Sequence, residues 1–346
     1  MQIHVNVNAR TAGSVADLQL RTPKAMNTTT LNVRVLKKQS EAVGICSFEL
    51  ADVDGNALPP FSAGSHIDVR VAEGLTRQYS LCNDPQESHR YLIGVLNDAS
   101  SRGGSRAMNE QIQVGDVLQI SSPKNHFPLA HQARKTLLVA GGIGVTPILC
   151  MAERLSAIEA DFEMHYCTRS RDRTAFLGRI ERATFAKQVR FHFDDGDSSQ
   201  RLDLAQLVRV SQPDVHLYVC GPKGFMDAVL KTARDAGWPE SQLHHEFFAA
   251  EVVKPDSDGS FEVKLASSGR IIVVGKDETV AQALTAAGVD VPTSCEQGVC
   301  GTCLTRVIDG TPDHRDSYLT REEQELNDQF TPCCSRSLSA RLVLDL

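Results

Sequence analysis

No stretch of the 346-residue chain approaches ~18 consecutive apolar residues, so no membrane-spanning helix is expected. The opening Met1-Gln2-Ile3-His4-Val5 lacks a basic segment followed by an apolar one, which argues against a secretory signal. Lys and Arg number 36 against 43 Asp and Glu, so nucleic acid is not an expected partner: neutralising phosphates takes a basic surface. Ten cysteines are too few for a disulfide scaffold at this length, and a cytoplasmic protein with reduced thiols is expected. The G-x-G-x-x-G dinucleotide fingerprint is also missing from the glycine-rich turn at 141–144. What remains is ordinary soluble composition, 41% hydrophobic and 23% charged, in a length that predicts two to three domains.

The cysteines carry the strongest signal. Cys295, Cys300, Cys303 and Cys333 form the pattern C-x4-C-x2-C-x29-C, the plant-type spacing of four thiolates for a 2Fe–2S cluster. Zinc would usually take two C-x2-C knuckles, and only one such pair exists here. Gly298 and Gly301 fall where a loop is expected to wrap closely around an inorganic core. The other six cysteines, Cys46, Cys82, Cys150, Cys167, Cys220 and Cys334, are scattered. From Phe261 to Leu346 there are 13 acidic and 8 basic residues, a net −5 of the chain's −7. Such a module could steer toward a basic face on another protein, or simply carry a solvated acidic surface.

Residues 1–28 show no sustained period and read as an N-terminal extension, with Met26 a possible natural start. From 29 to 130, short alternating runs (Leu31–Val35, Cys46–Leu50, His66–Val71, Tyr91–Val95) separated by turn formers predict a small β-barrel. From 131 to 252 the pattern becomes strand, glycine turn, helix, which predicts a doubly wound parallel sheet. Its first strand is Thr136–Ala140, and helices are expected over 148–158 and 224–236. Residues 253–260 read as a linker, and 261–346 as the cluster domain.

Gly141-Gly142-Ile143-Gly144-Val145-Thr146 would bring backbone N–H groups and a helix start against a pyrophosphate, with Thr146 adding a hydroxyl. Tight strand-to-helix turns also need glycine for purely steric reasons. Cys220-Gly221-Pro222 ends another buried strand, the edge at which α/β sheets bind ligands, so Cys220 and Gly221 are expected beside a nicotinamide; a buried structural cysteine is the alternative. In the barrel, Arg77-Gln78-Tyr79-Ser80 offers a guanidinium for phosphate and a phenol for a flat ring, and Ser101-Arg102-Gly103-Gly104-Ser105 a second anion-binding turn. Electron counting also asks for a flavin. Nicotinamide gives two electrons as hydride, the cluster takes one, and a flavin reconciles them.

In this order, Arg77-x-Tyr79-Ser80-Leu81, Gly103-Gly104-Ser105, Gly142-Ile143-Gly144-Val145-Thr146-Pro147, Cys220-Gly221-Pro222 and the four cysteines resemble the phthalate dioxygenase reductase family. The resemblance covers everything after about residue 28. It implies a six-stranded flavin barrel, a nucleotide domain and a C-terminal β-grasp ferredoxin domain. It also implies FMN rather than FAD, with NADH as donor, in a monomer that passes single electrons to a Rieske-type terminal oxygenase. That oxygenase is expected to be an aromatic O-demethylase of the vanillate type, the alternatives being one acting on another aromatic acid or a quaternary amine. A non-catalytic redox sensor is the alternative of a different class. By the same resemblance Arg77, Tyr79, Ser80 and Ser105 contact FMN, and Gly144, Thr146, Cys220 and Gly221 face the pyridine nucleotide. Glu246, in Glu246-Phe247-Phe248, matches the segment near the flavin–nicotinamide junction or is an exposed carboxylate. Cys333-Cys334-Ser335-Arg336 matches the family's last motif with Cys333 as ligand, Cys334 pointing away if the backbone is extended.

Overall fold

The computed structural model describes residues 30–98, 103–130, 133–209, 211–248 and 258–346; the N-terminal extension, and the linker up to residue 257, lie outside them. Strands β1 (Thr30–Ala42), β2 (Ile45–Asp52), β3 (Ser65–Ala72), β4 (Leu75–Ser80), β5 (Tyr91–Leu96), β6 (Val117–Ser121) and the short β7 (Lys124–Asn125) form the first sheet. Its order is β4-β3-β6-β1-β2-β5, and a bridge from Leu81 to Ile93 brings the end of β4 onto β5, joining the two edges of the path. Alternation fills the interior: Val33 and Val35, Phe48 and Leu50, Ile67 and Val69, and Tyr91, Ile93 and Val95 all point inward. The Gly103-Gly104-Ser105 segment, expected as a turn, instead starts helix α1 (Gly104–Glu110). The helix forms because Ala107 and Met108, one turn in, bury against the barrel core. Ser101 and Arg102 of that motif lie outside the described residues.

The second sheet contains β8 (Lys135–Gly141), β9 (Phe162–Thr168), β10 (Val189–Phe193), β11 (Val215–Cys220) and β12 (Leu243–Glu246), all parallel, in the order β10-β9-β8-β11-β12. Its connections include α2 (Val145–Ala157), α3 (Leu177–Glu181), α4 (Leu204–Leu207) and α5 (Lys223–Asp235). The unbroken apolar run of β8 reflects cover on both faces. Leu138 and Ala140 pack with α2, whereas Leu137 and Val139 pack with α5. The order of strands reverses between β8 and β11, so the turns after these two strands open at the switch point.

The third sheet, β14-β13-β19-β15-β17, is built from β13 (Phe261–Leu265), β14 (Ile271–Val274), β15 (Thr305–Asp309), β17 (Gln329–Phe330) and β19 (Arg341–Leu344). The pair β16 (Pro312–Asp313) and β18 (Arg336–Ser337) stands beside it. Helix α6 (Val280–Ala286) packs Val280 and Leu284 into this core, and Thr279 caps it by a reciprocal pair of hydrogen bonds with Gln282; α7 (Arg321–Leu326) is capped the same way by Thr320 and Glu323. A β-grasp domain thus comes after the barrel and the doubly wound sheet. Asp258, within the expected linker, is ion-paired with Arg315 at 2.6 Å and Arg336 at 3.5 Å. No helix among the described residues is long and apolar enough to cross a membrane.

Candidate functional site

A cavity of about 580 Å³ lies where the three sheets meet, a size suited to a cofactor. Strand β4 supplies Arg77, Gln78, Tyr79 and Ser80 to one wall, joined by Ser105 of α1. Thr146, at the start of α2, and Glu246, at the end of β12, come from the parallel-sheet domain, and Cys295, Cys300 and Tyr318 from the cluster module. Residues separated by more than 200 positions therefore share one chamber.

The barrel wall has a polar atom waiting for a partner. Tyr79 Oη is buried and has no hydrogen-bond partner among the described residues, and burial pushes its pKa up, so it stays a neutral donor. Arg77 donates to the Thr76 carbonyl at 2.7 Å and reaches Glu296 at 3.5 Å. Its stem leaves space for nothing larger than hydrogen at Gly104. In the same wall, Gln78 Nε2 donates to Asp68 Oδ1 at 3.0 Å and lies 3.2 Å from His66 Nε2. Burial lowers the His66 pKa to about 4 against the pull of Asp68, leaving the imidazole neutral.

On the sheet side, Gly144 is required by packing. A Cβ there would overlap the Cys220 carbonyl group, because the turn after β8 rides directly on the end of β11. The steric reason for glycine therefore holds here, and the same turn still presents a helix start at the switch point. Gly142, Gly144, Cys220 and Gly221 do not line the cavity; Gly144 and Cys220 are buried, and Gly142 and Gly221 are half-buried. The Thr146 hydroxyl, expected as a free donor, is given to the Ile143 carbonyl at 3.1 Å within the first turn, while its methyl packs against Gly94 of the barrel.

Glu246 is half-buried and not an exposed carboxylate. Parallel register sets it beside Cys220, and Ser80 donates to its Oε2 at 3.3 Å across the barrel–sheet junction. Burial raises its pKa to about 7, the Ser80 hydrogen bond opposing. Cys220 is fully buried, and burial together with the neighbouring Glu246 keeps its thiol protonated.

The four cluster cysteines converge and are all buried. The Cys295 sulfur is within hydrogen-bonding reach of those of Cys300 and Cys333, and Cys333 of that of Cys303. Backbone N–H groups of Gln297 and Thr302 point at the sulfurs of Cys295 and Cys300, at 3.4 and 3.5 Å, which suits anionic thiolates. This donor set fits an iron–sulfur cluster. The two loop glycines have positive φ, but what fills the space beside them is protein: a Cβ at Gly301 would enter the Tyr318 ring, and one at Gly298 the Cys334 sulfur. Nor is the backbone extended at Cys334. Residues 332–334 form a turn that ties its sulfur to Thr331 Oγ1 at 3.2 Å.

Sequence reasoning missed His66, Asp68, Gln297 and Tyr318. Gln297 lies between the first two cluster cysteines, where spacing marks only the thiols; His66, Asp68 and Tyr318 sit in no motif, and only the packing of distant segments gives them a role.

A family model for a 2Fe-2S iron-sulfur cluster binding domain matches residues 263–338, and one for a dimethylamine monooxygenase subunit DmmA-like N-terminal domain matches 120–243. Vanillate O-demethylase oxidoreductase of Pseudomonas putida is 58% identical over 313 residues, 90% of this chain and 98% of that protein. Phthalate dioxygenase reductase of Burkholderia cepacia is 40% identical over 319 residues, 91% of this chain and 97% of that protein. The solved structure of a phthalate dioxygenase reductase, described as a modular structure for electron transfer from pyridine nucleotides to [2Fe-2S], superposes with a TM-score of 0.76 at 39% identity, covering 92% of this chain and 98% of its own.

Proposed function

Since the chain belongs to the phthalate dioxygenase reductase family, we propose that its central cavity holds FMN, that NADH is its donor, and that its electrons serve a Rieske-type oxygenase that O-demethylates a vanillate-like aromatic. The chain is the reductase component of an oxygenase system, an iron–sulfur flavoprotein oxidoreductase drawing on a pyridine nucleotide. The 58% identity to a vanillate O-demethylase oxidoreductase supports the choice of oxygenase, and the shared chamber, bordered by Tyr79, Thr146, Glu246 and Cys295, supports the order of electron transfer.

The flavin, when bound, accepts the two electrons of a hydride and releases them one at a time. Tyr79 would donate its unpartnered hydroxyl to it, Arg77 and Ser105 would supply polar contacts, and Ser80 holds the Glu246 carboxylate. The turn at Gly142–Gly144 and the end of β11 at Cys220-Gly221 hold the pyridine nucleotide, with Thr146 closing the barrel side. Cys295, Cys300, Cys303 and Cys333 hold the cluster, Cys295 and Cys300 facing the chamber. The module boundaries fall near residues 130 and 252, and the protein acts as a monomer.

The segment after β9 favours NADH over NADPH. Arg171 is engaged by Glu181 at 2.7 Å, and the backbone N–H groups of Asp194 and Asp195 bind the carbonyls of Thr168 and Arg169, placing two carboxylates beside the segment where a 2′-phosphate would sit. The purified protein is expected to release FMN on acid extraction, to show the higher kcat/KM with NADH, and to support oxygen uptake by a vanillate O-demethylating oxygenase better than by a phthalate oxygenase. Release of FAD, a preference for NADPH, or equal support of both oxygenases would each reject the corresponding part of the reading.

A further inference from the structure

We propose that Asp68 is a positioning residue for electron transfer: with Ser294 it latches the segment carrying Cys295 onto the barrel and so keeps the first cluster ligand against the cavity. The inference builds on the reductase reading. Ser294, 3% exposed, donates its hydroxyl to Asp68 Oδ1 at 2.6 Å across 226 residues of sequence. On the other side of Cys295, Glu296 pairs with Arg77 at 3.5 Å. The two anchor points stand side by side on the barrel, because β3–β4 register sets Asp68 opposite Gln78 and Val69 opposite Arg77. Cys295 is thus held from both flanks by adjacent rungs of one hairpin.

Asp68 is also held from within the barrel. Lys124 Nζ reaches its Oδ2 at 2.7 Å and Gln78 donates to Oδ1 at 3.0 Å. Burial alone would raise its pKa, but the hydrogen bonds from Lys124, Ser294 and Gln78 and the Lys124 charge outweigh it, so the acceptor stays ionised. The loop, in contrast, takes a conformation it would not choose by itself. Glu296 has φ of 55°, in the left-handed region that costs a residue with a side chain, and such strain persists where surroundings impose it. The contacts that hold it include the Gln297 N–H on the Cys295 sulfur within the loop and the Arg77 pair on the barrel side.

The test is Ser294→Ala in the full-length holoprotein, which leaves the Asp68–Lys124–Gln78 network in place and therefore the barrel folded. Losing a hydrogen bond to a charged acceptor shifts the undocked-to-docked ratio roughly 10- to 100-fold. Hydrogen exchange in the resting, oxidised protein should accelerate by that order across 294–303 while β13 and β19 keep their protection. In stopped flow, NADH should reduce the flavin at the wild-type rate and the cluster more slowly. Asp68→Ala should reproduce both effects, and adding Ser294→Ala to it should do no further harm. Unchanged protection of 294–303 in Ser294→Ala, or additive effects of the two substitutions, overturns the latch. A wild-type flavin that NADH fails to reduce would sink the reductase reading instead, and exchange, which needs no turnover, would still decide the latch.

Discussion

Replacing Glu246 with Gln probes the junction between barrel and sheet most directly. The carboxyl lies at the end of β12 beside Cys220, with Ser80 Oγ at 3.3 Å, and burial moves its pKa from 4.5 to about 7. That displacement corresponds to about 3 kcal/mol between protonated and ionised forms. Because the folded-state pKa lies above the unfolded one, the folded protein binds the extra proton. The associated stability is fully present below pH 4.5, falls as pH rises, and is lost above about pH 7. Wild type should therefore lose up to about 3 kcal/mol across this window from this group alone, whereas Glu246→Gln loses none of it. Infrared difference spectra of wild type against the variant, titrated with pH, report the carboxyl itself. At about pH 6 roughly nine-tenths of Glu246 should be protonated, against a few per cent for an ordinary glutamate. The variant should also flatten any dependence of flavin reduction on pH near neutrality. A difference band that titrates between about pH 4 and 5 would refute the argument, since burial would then not be controlling the charge.

The modular build carries two further expectations. Cys300→Ser should abolish the visible signature of the cluster yet leave NADH-to-flavin reduction intact, because Cys300 belongs to the third sheet's module while Arg77, Tyr79 and Ser80 come from the barrel; a variant whose flavin cannot be reduced would show that the modules are not separable. The −5 charge of residues 261–346, with Glu322, Glu323 and Glu325 on α7, should assist encounter with a basic oxygenase face. Since the Debye length falls from ~8 Å at physiological salt to ~3 Å at 1 M, electron delivery should slow steeply with salt while flavin reduction changes little; equal responses in stopped flow would make the acidity a solvated surface only.

The signals legible in the sequence were those that act over short stretches of chain. A cluster loop must place three thiolates within nine residues, so Cys295, Cys300 and Cys303 announced themselves by spacing. A strand covered on both faces must be continuously apolar, so β8 and β11 stood out, and with them the turns that open at the switch point. Arg77-Gln78-Tyr79-Ser80 was legible as a group, but not what each side chain would meet. Tertiary structure alone decided that Tyr79 keeps an unpartnered hydroxyl while Thr146 spends its own on Ile143, and that Gly144 yields to a neighbouring strand. It also decided that Gly301 leaves room for Tyr318 and that Glu246 lies half-buried against Ser80. Asp68 had no local signature whatever. Its partner stands 226 positions away, and a contact of that kind costs loop closure and is repaid only when two finished modules meet, so no local pattern encodes it.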